Sequence, residues 1–333
     1  MVHKVWASFF YAIFSIVAAY HLPVERQATN DGVHLAITPT CGKLGGTFAN
    51  VNAGIVTTGI KTHVAFGDSY TSGGRSDGGT LPAAVLTGTS PRAGGRVTDG
   101  PVWAEDVSSD LGATIKDYAV SGAVVNVTLW PSKAGQSDFL HQGSRSLPQS
   151  KKCLEFCHDS LQCIFRNQRF FRRVPDKIPF IHPNNGACIV DGNHLPQAAA
   201  NLLAQIQQLA AAPTNAKNIL VLDDYGRGKH STTGDAWKQA VFNGLSTLRA
   251  EGLNVAFVDF APLWDAVLGT SPGFAAFGYD TSGACIPDLE QTNLAGECST
   301  PLNSFYWLPG HPSKETHRIM ANYVDFVLAN CKA

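Results

Sequence analysis

His63-Val64-Ala65-Phe66, running into Gly67-Asp68-Ser69-Tyr70-Thr71 with Gly73 and Gly74 just beyond, is the stretch on which the reading of this chain turns. A short apolar run closed by glycine reads as a buried strand. Glycine lets the backbone turn sharply, and a serine on such a turn at the carboxyl end of a strand projects its hydroxyl to where an open parallel sheet binds ligands. Taken alone, Gly-Asp-Ser also reads as a turn or a helix cap. The surroundings decide between the two.

Outward from this stretch, short apolar runs alternate with amphipathic ones. The spacing predicts a helix over 102–111 and a strand over 115–120. Leu202, Leu203, Ile206 and Leu209 share one helical face, which Pro213 closes, and a strand over 219–222 follows. Trp237, Val241, Leu245 and Leu248 mark the next helix, with Gly252 as its stop and a strand over 254–259 after it. The last helix is expected from about Ser313, a good N-cap residue, to Ala329. Strands alternating with helices predict an α/β fold with a parallel sheet covered on both faces.

Composition agrees with a globular chain and narrows its partners. The 333 residues are 44% apolar and 15% charged, enough to bury a sizeable core. Lys and Arg number 25 against 26 Asp and Glu, so no whole-chain field exists to hold nucleic acid or an anionic membrane. With 32 Gly, 18 Pro and only two Met, many tight turns are expected rather than a helical bundle. Lys4 precedes an apolar run over 5–19 that fits a secretory signal peptide cleaved near Ala19. The run is shorter than the roughly 20 residues needed to span a bilayer, so no stable membrane association is expected. A buried first helix is the alternative reading. Eight Cys and the sequon Asn126-Val127-Thr128 fit a secreted, extracellular protein.

One segment breaks the pattern. Residues 144–190 carry 8 Lys and Arg against 3 Asp and Glu, hold 4 of the 8 Cys (Cys153, Cys157, Cys163, Cys188), and show no sustained period. They read as an insertion, a disordered loop or foreign sequence. A zinc knuckle there, drawing on Cys153, Cys157, His158, Cys163 and His182, lacks the paired Cys-x-x-Cys spacing that gives zinc motifs their specificity. A basic RNA-binding patch lacks any recognisable surrounding module.

Three blocks in order give the chain a resemblance. Val64-Ala65-Phe66-Gly67-Asp68-Ser69-Tyr70-Thr71, then Tyr118-Ala119-Val120-Ser121-Gly122-Ala123, then His311-Pro312-Ser313 together resemble the GDSL or SGNH family of serine esterases. They are most similar to its secreted fungal branch, which includes carbohydrate esterases acting on acetyl groups. The resemblance covers roughly residues 40–143 and 191–331, and implies one SGNH hydrolase domain over 40–331, interrupted by 144–190. It implies a flavodoxin-like three-layer sandwich and acyl transfer to water through an acyl-serine. Ser69 would be the nucleophile, His311 the general base, and the backbone N–H groups of Ser69 and Gly122 the oxyanion donors. No cofactor or metal is implied. The partner would be a small-molecule or polysaccharide ester, with short acyl groups preferred. Asp68 reads as a structural residue of the turn, and His63, His230 and His317 as surface or strand-edge residues.

Two departures stand out. The family's third block, Gly-x-Asn-Asp, whose Asn donates to the oxyanion, is absent where 144–190 stands. Leu140, Gln142 and Gly143 before the gap, and 191–196 after it, remain family-like, and Asn193 is a candidate substitute donor. The Asp expected three residues before the catalytic His is Leu308. A backbone carbonyl is one alternative orienter of His311, and Asp223, Asp224 and Asp259 near strand ends are others. The rival reading is therefore a catalytically impaired relative that at most binds carbohydrate. Trp103, Trp130, Phe305, Tyr306 and Trp307 read as core, with a sugar cleft as the alternative. Cys285 with Cys298 is the natural close pair and Cys41 with Cys331 would tie the ends together, although all three connectivities of these four Cys stay open.

Overall fold

The computed structural model describes residues 32–133, 135–146, 177–181, 193–223 and 227–332. The expected signal peptide (1–19), Asp224, and most of 144–190 with its four Cys lie outside them.

Six strands form the main sheet: β1 (Val51–Ala53), β2 (Thr62–Phe66), β3 (Thr114–Asp117), β4 (Lys177–Ile181), β5 (Asn218–Asp223) and β6 (Asn254–Asp259). Their order is β1-β6-β5-β4-β2-β3. All pairings are parallel except that of the edge strand β1, which runs antiparallel to β6. From β2 the chain steps to β3 on one side, crosses back to β4 on the other, and continues outward through β5 and β6. Strand order thus reverses beside β2, which opens a crevice at its carboxyl end.

The helices are α1 (Trp103–Leu111), α2 (Phe139–Ser146), α3 (Leu195–Ala210), α4 (Thr232–Ala250), α5 (Ala261–Leu268) and α6 (Lys314–Asn330). Helices α1, α5 and α6 cover one face of the sheet and α2, α3 and α4 the other, which makes the three-layer sandwich. Strand β5 shows why. Its Leu220 and Leu222 pack in the first layer and its Ile219 and Val221 in the second, all four fully buried. Each such side chain contributes about 1.5–3 kcal/mol on burial, so an uncovered face would be costly.

Several boundaries correct the sequence reading. Strand β3 stops at Asp117 rather than at 120, because the Asp117 carboxylate accepts the Ala119 N–H and turns the chain. Helix α3 begins at Leu195, with Pro196 in its first turn where a missing N–H costs nothing. Segment 144–190 is not wholly outside the pattern: 144–146 complete α2, and 177–181 form β4 between β2 and β5. Pro179 hides that strand, since proline argues against a central position. Its pairing with β5 covers only Phe180 and Ile181, the two residues after the proline.

A second, three-stranded sheet was not legible: β7 (Thr281–Ala284), β8 (Ser304–Leu308) and β9 (His311–Pro312). Strands β8 and β9 are antiparallel, joined by the turn at Pro309 and Gly310. Disulfides join Cys41 to Cys331 and Cys285 to Cys298. No helix among the described residues is long and apolar enough to cross a membrane.

Candidate active site

Ser69 stands just beyond the end of β2, at the strand-order reversal. The Asp68 carbonyl accepts N–H bonds from Thr71 (3.1 Å) and Ser72 (2.9 Å), and the Asp68 carboxylate accepts from Tyr70 N–H at 2.9 Å. Those bonds fold the residues around the serine into a tight turn. Asp68 is buried and its geometry is that of a turn residue, as expected.

The peptide before it is clamped from α2. Gln142, fully buried, accepts the Gly67 N–H (2.9 Å) and donates to the Gly67 carbonyl (2.8 Å). Asp117 ties the two loops at the carboxyl ends of β2 and β3. Its carboxylate accepts N–H bonds from Gly73 (2.5 Å) and Ala119 (2.7 Å), and burial pushes its pKa up to about 8 against those two donors. Sequence reasoning gave Asp117 no role; an acid at a strand end before a turn is its only signal.

The turn at β8–β9 delivers His311. Its Nε2 lies 2.9 Å from Ser69 Oγ, and its Nδ1 lies 3.1 Å from the Pro309 carbonyl. Since a carbonyl only accepts, Nδ1 carries the proton and Nε2 presents a lone pair to the serine. Burial holds the His311 pKa below its usual value, aided by the charges of Arg227 and Arg92. The Pro309 carbonyl and the Asp68 charge push the other way. Leu308 cannot play the missing Asp, because its side chain has no acceptor; it packs, fully buried, in the cluster with Ile286 and Trp307.

Among the described residues, the structure does not bring Asp223 or Asp259 to His311. Asp259 and Asp223 are engaged by the buried Lys238, whose Nζ lies 2.8 Å and 3.5 Å from them. Asn193 is exposed, and its side chain accepts the Leu195 N–H at the start of α3. Gly122 sits on the turn after β3 with φ of +78°, a conformation that favours glycine, and a Cβ there would come within 2.6 Å of Gln136 Oε1.

Of the three His read as surface or strand-edge residues, two differ from expectation. His63 is fully buried, 2.5 Å from Ser108 Oγ, with its pKa lowered to about 3 by burial. His317 is buried too, and its Nδ1 accepts the Trp103 N–H at 3.3 Å. Both are core residues, because β2 and α6 are covered at those positions. His230 is exposed as expected, 2.9 Å from Asp265. Trp103, Trp130, Phe305 and Trp307 are buried in the core and Tyr306 is half-buried.

A family model described as GDSL-like lipase/acylhydrolase matches residues 64–324. No curated protein matches the sequence. Among solved structures, an acetylxylan esterase from Geobacillus stearothermophilus, as a catalytic mutant, is 15% identical with a TM-score of 0.41, covering 82% of this chain and 95% of that one. A carbohydrate esterase family 2 enzyme with a carbohydrate binding domain, from Corynascus thermopiles (Myceliophthora fergusii), is 13% identical with a TM-score of 0.41, covering 84% of this chain and 68% of that one.

Proposed function

The chain belongs to the GDSL-like lipase/acylhydrolase family of carboxylic ester hydrolases, and on that premise we propose that it hydrolyses short acyl esters, acetyl above all, on carbohydrate through an acyl-Ser69 intermediate. The observation that carries this reading is the 2.9 Å approach of Ser69 Oγ to His311 Nε2. Ser69 is a poor nucleophile until a base takes its proton, and that lone pair is placed to do so. As Oγ attacks the ester carbon, His311 takes the proton and the carbonyl oxygen becomes an oxyanion facing the N–H groups of Ser69 and Gly122. Collapse expels the alcohol, which takes the proton from His311. Water, deprotonated by the same imidazole, then releases the acid and restores Ser69.

Short acyl groups are favoured because no strongly apolar lid stands out near the three blocks, and each CH₂ of a long chain needs burial worth about 0.8 kcal/mol. The N-terminal apolar run and the two disulfides support secretion, and the blocks support a place in the fungal carbohydrate-esterase branch. One observation favours the rival reading of an impaired relative: the sequence has no Gly-x-Asn-Asp block. Loss of one such donor typically costs about 100-fold to 1,000-fold in turnover.

Turnover of p-nitrophenyl acetate by the wild type, Ser69→Ala, His311→Ala and the double variant tests the proposal. The two residues act as one unit, so each single variant should lose about as much as the double. A folded Ser69→Ala protein that keeps wild-type turnover ends the acyl-serine reading. Faster hydrolysis of octanoyl than acetyl esters ends the short-acyl one.

A further inference from the structure

We propose that Tyr70 and Arg227 are positioning residues for the base: the Tyr70 hydroxyl, held by the Arg227 guanidinium, clamps the turn whose carbonyl orients His311, in place of the carboxylate absent at Leu308. The inference rests on the esterase reading above. A carbonyl on a two-residue turn orients an imidazole only if the turn itself is fixed. Here the Tyr70 hydroxyl donates to the Gly310 carbonyl and accepts from Arg227 Nη1 at 3.1 Å. Gly310 is next to Pro309, whose carbonyl accepts the hydrogen bond from His311 Nδ1–H. Tyr70 is next to Ser69. One side chain therefore spans from the residue after the nucleophile to the residue before the base, and sets the separation between them.

The tyrosine has little freedom to do otherwise. It is buried, with its ring 5.7 Å from the His311 ring and 6.1 Å from that of Trp264. Arg227 lies over the ring face at 5.5 Å from its centre, an attractive cation–π arrangement. The backbone of Arg227 has φ of +37°, a left-handed conformation that a residue with a side chain rarely adopts. Such strain persists where surrounding contacts fix it, and the contacts to Tyr70 are among those that hold Arg227.

The arrangement has an electrostatic consequence. The groups that act on His311 are Asp68 and the Pro309 carbonyl, which favour the imidazolium, and Arg92, Arg227 and burial, which disfavour it. Tyr70 faces the ring as a neutral hydroxyl. Arg227 thus fixes the turn through Tyr70 and adds its charge to the burial that disfavours the imidazolium.

Two variants and two readouts test this. Tyr70→Phe keeps the ring and removes the hydroxyl; Arg227→Met removes the charge from a half-buried loop position. For Tyr70→Phe, kcat on p-nitrophenyl acetate should fall about tenfold with KM changed less than about twofold, since the substrate contacts stay. For Arg227→Met, the acid limb of kcat/KM should move to higher pH, and the His311 imidazole followed by nitrogen-15 NMR should titrate higher by the same amount. A merely structural role would move stability but neither readout. Should Tyr70→Phe not fold, Arg227→Met carries the test. An unchanged kcat in folded Tyr70→Phe overturns the brace, and an unchanged His311 titration in Arg227→Met overturns its electrostatic part. A wild type without turnover but with the expected NMR shift overturns the esterase reading and leaves the brace standing.

Discussion

Asp117 shows how much one buried carboxylate settles in this site. It holds Gly73 on the nucleophile side and Ala119 on the side leading to Gly122, so both loops of the site hang on its two oxygens. Burial raises its pKa to about 8, against about 3.9 in an unfolded chain. Between those values the folded protein keeps a proton that the unfolded chain has released. The stability this contributes is full below about pH 4 and is lost as pH rises through about 8. Urea midpoints of the wild type should therefore fall across that window more steeply than those of Asp117→Asn, which has no group to titrate; equal slopes would rule the linkage out. Asp117→Asn should also cost about 1–3 kcal/mol, because an amide cannot accept both N–H bonds through its two ends.

At the level of elements, α2 matters beyond its length. Its Gln142 reaches the peptide that ends β2, and Gln142→Leu would leave the buried Gly67 N–H without its acceptor while the Gly67 carbonyl keeps the Val120 N–H at 3.0 Å. The expected cost is about 1–3 kcal/mol in thermal or urea unfolding, with kcat reduced because the nucleophile turn starts from that peptide. A variant of wild-type stability and turnover would show the clamp to be idle. Elements with a clean period, β2, β5, β6, α4 and α6, were legible in the sequence. Their apolar spacing is the packing that buries them. Strand β4 was not, because Pro179 and its basic surroundings contradict a central strand that the chain nonetheless builds. The β7–β9 sheet escaped because β9 has two residues and β7 is broken by a bulge. Ser69 and His311, which stand 2.9 Å apart, could be named as candidates from their blocks, and a backbone carbonyl could be offered as an orienter of His311, but not the residue that supplies it. A backbone carbonyl carries no residue type, and the Tyr70 contact spans 240 positions.

At the scale of the whole molecule, the edge strand β1 and the end of α6 are fastened together. Cys41 bonds Cys331 across a separation of 290 residues, and the Asn52 side chain donates to the Leu328 carbonyl at 2.7 Å. Replacing both Cys41 and Cys331 by Ser should cost about 2–5 kcal/mol of stability. Turnover per folded molecule should change little, since β1 is separated from β2 by β6, β5 and β4; equal melting points for the two proteins would argue against a stabilising role. The same bond makes the chain from 41 to 331 a covalent ring. A protease that cuts one surface turn within it opens the ring without releasing a fragment. A singly nicked molecule should travel as one species on a non-reducing gel and as two only after the thiols are restored.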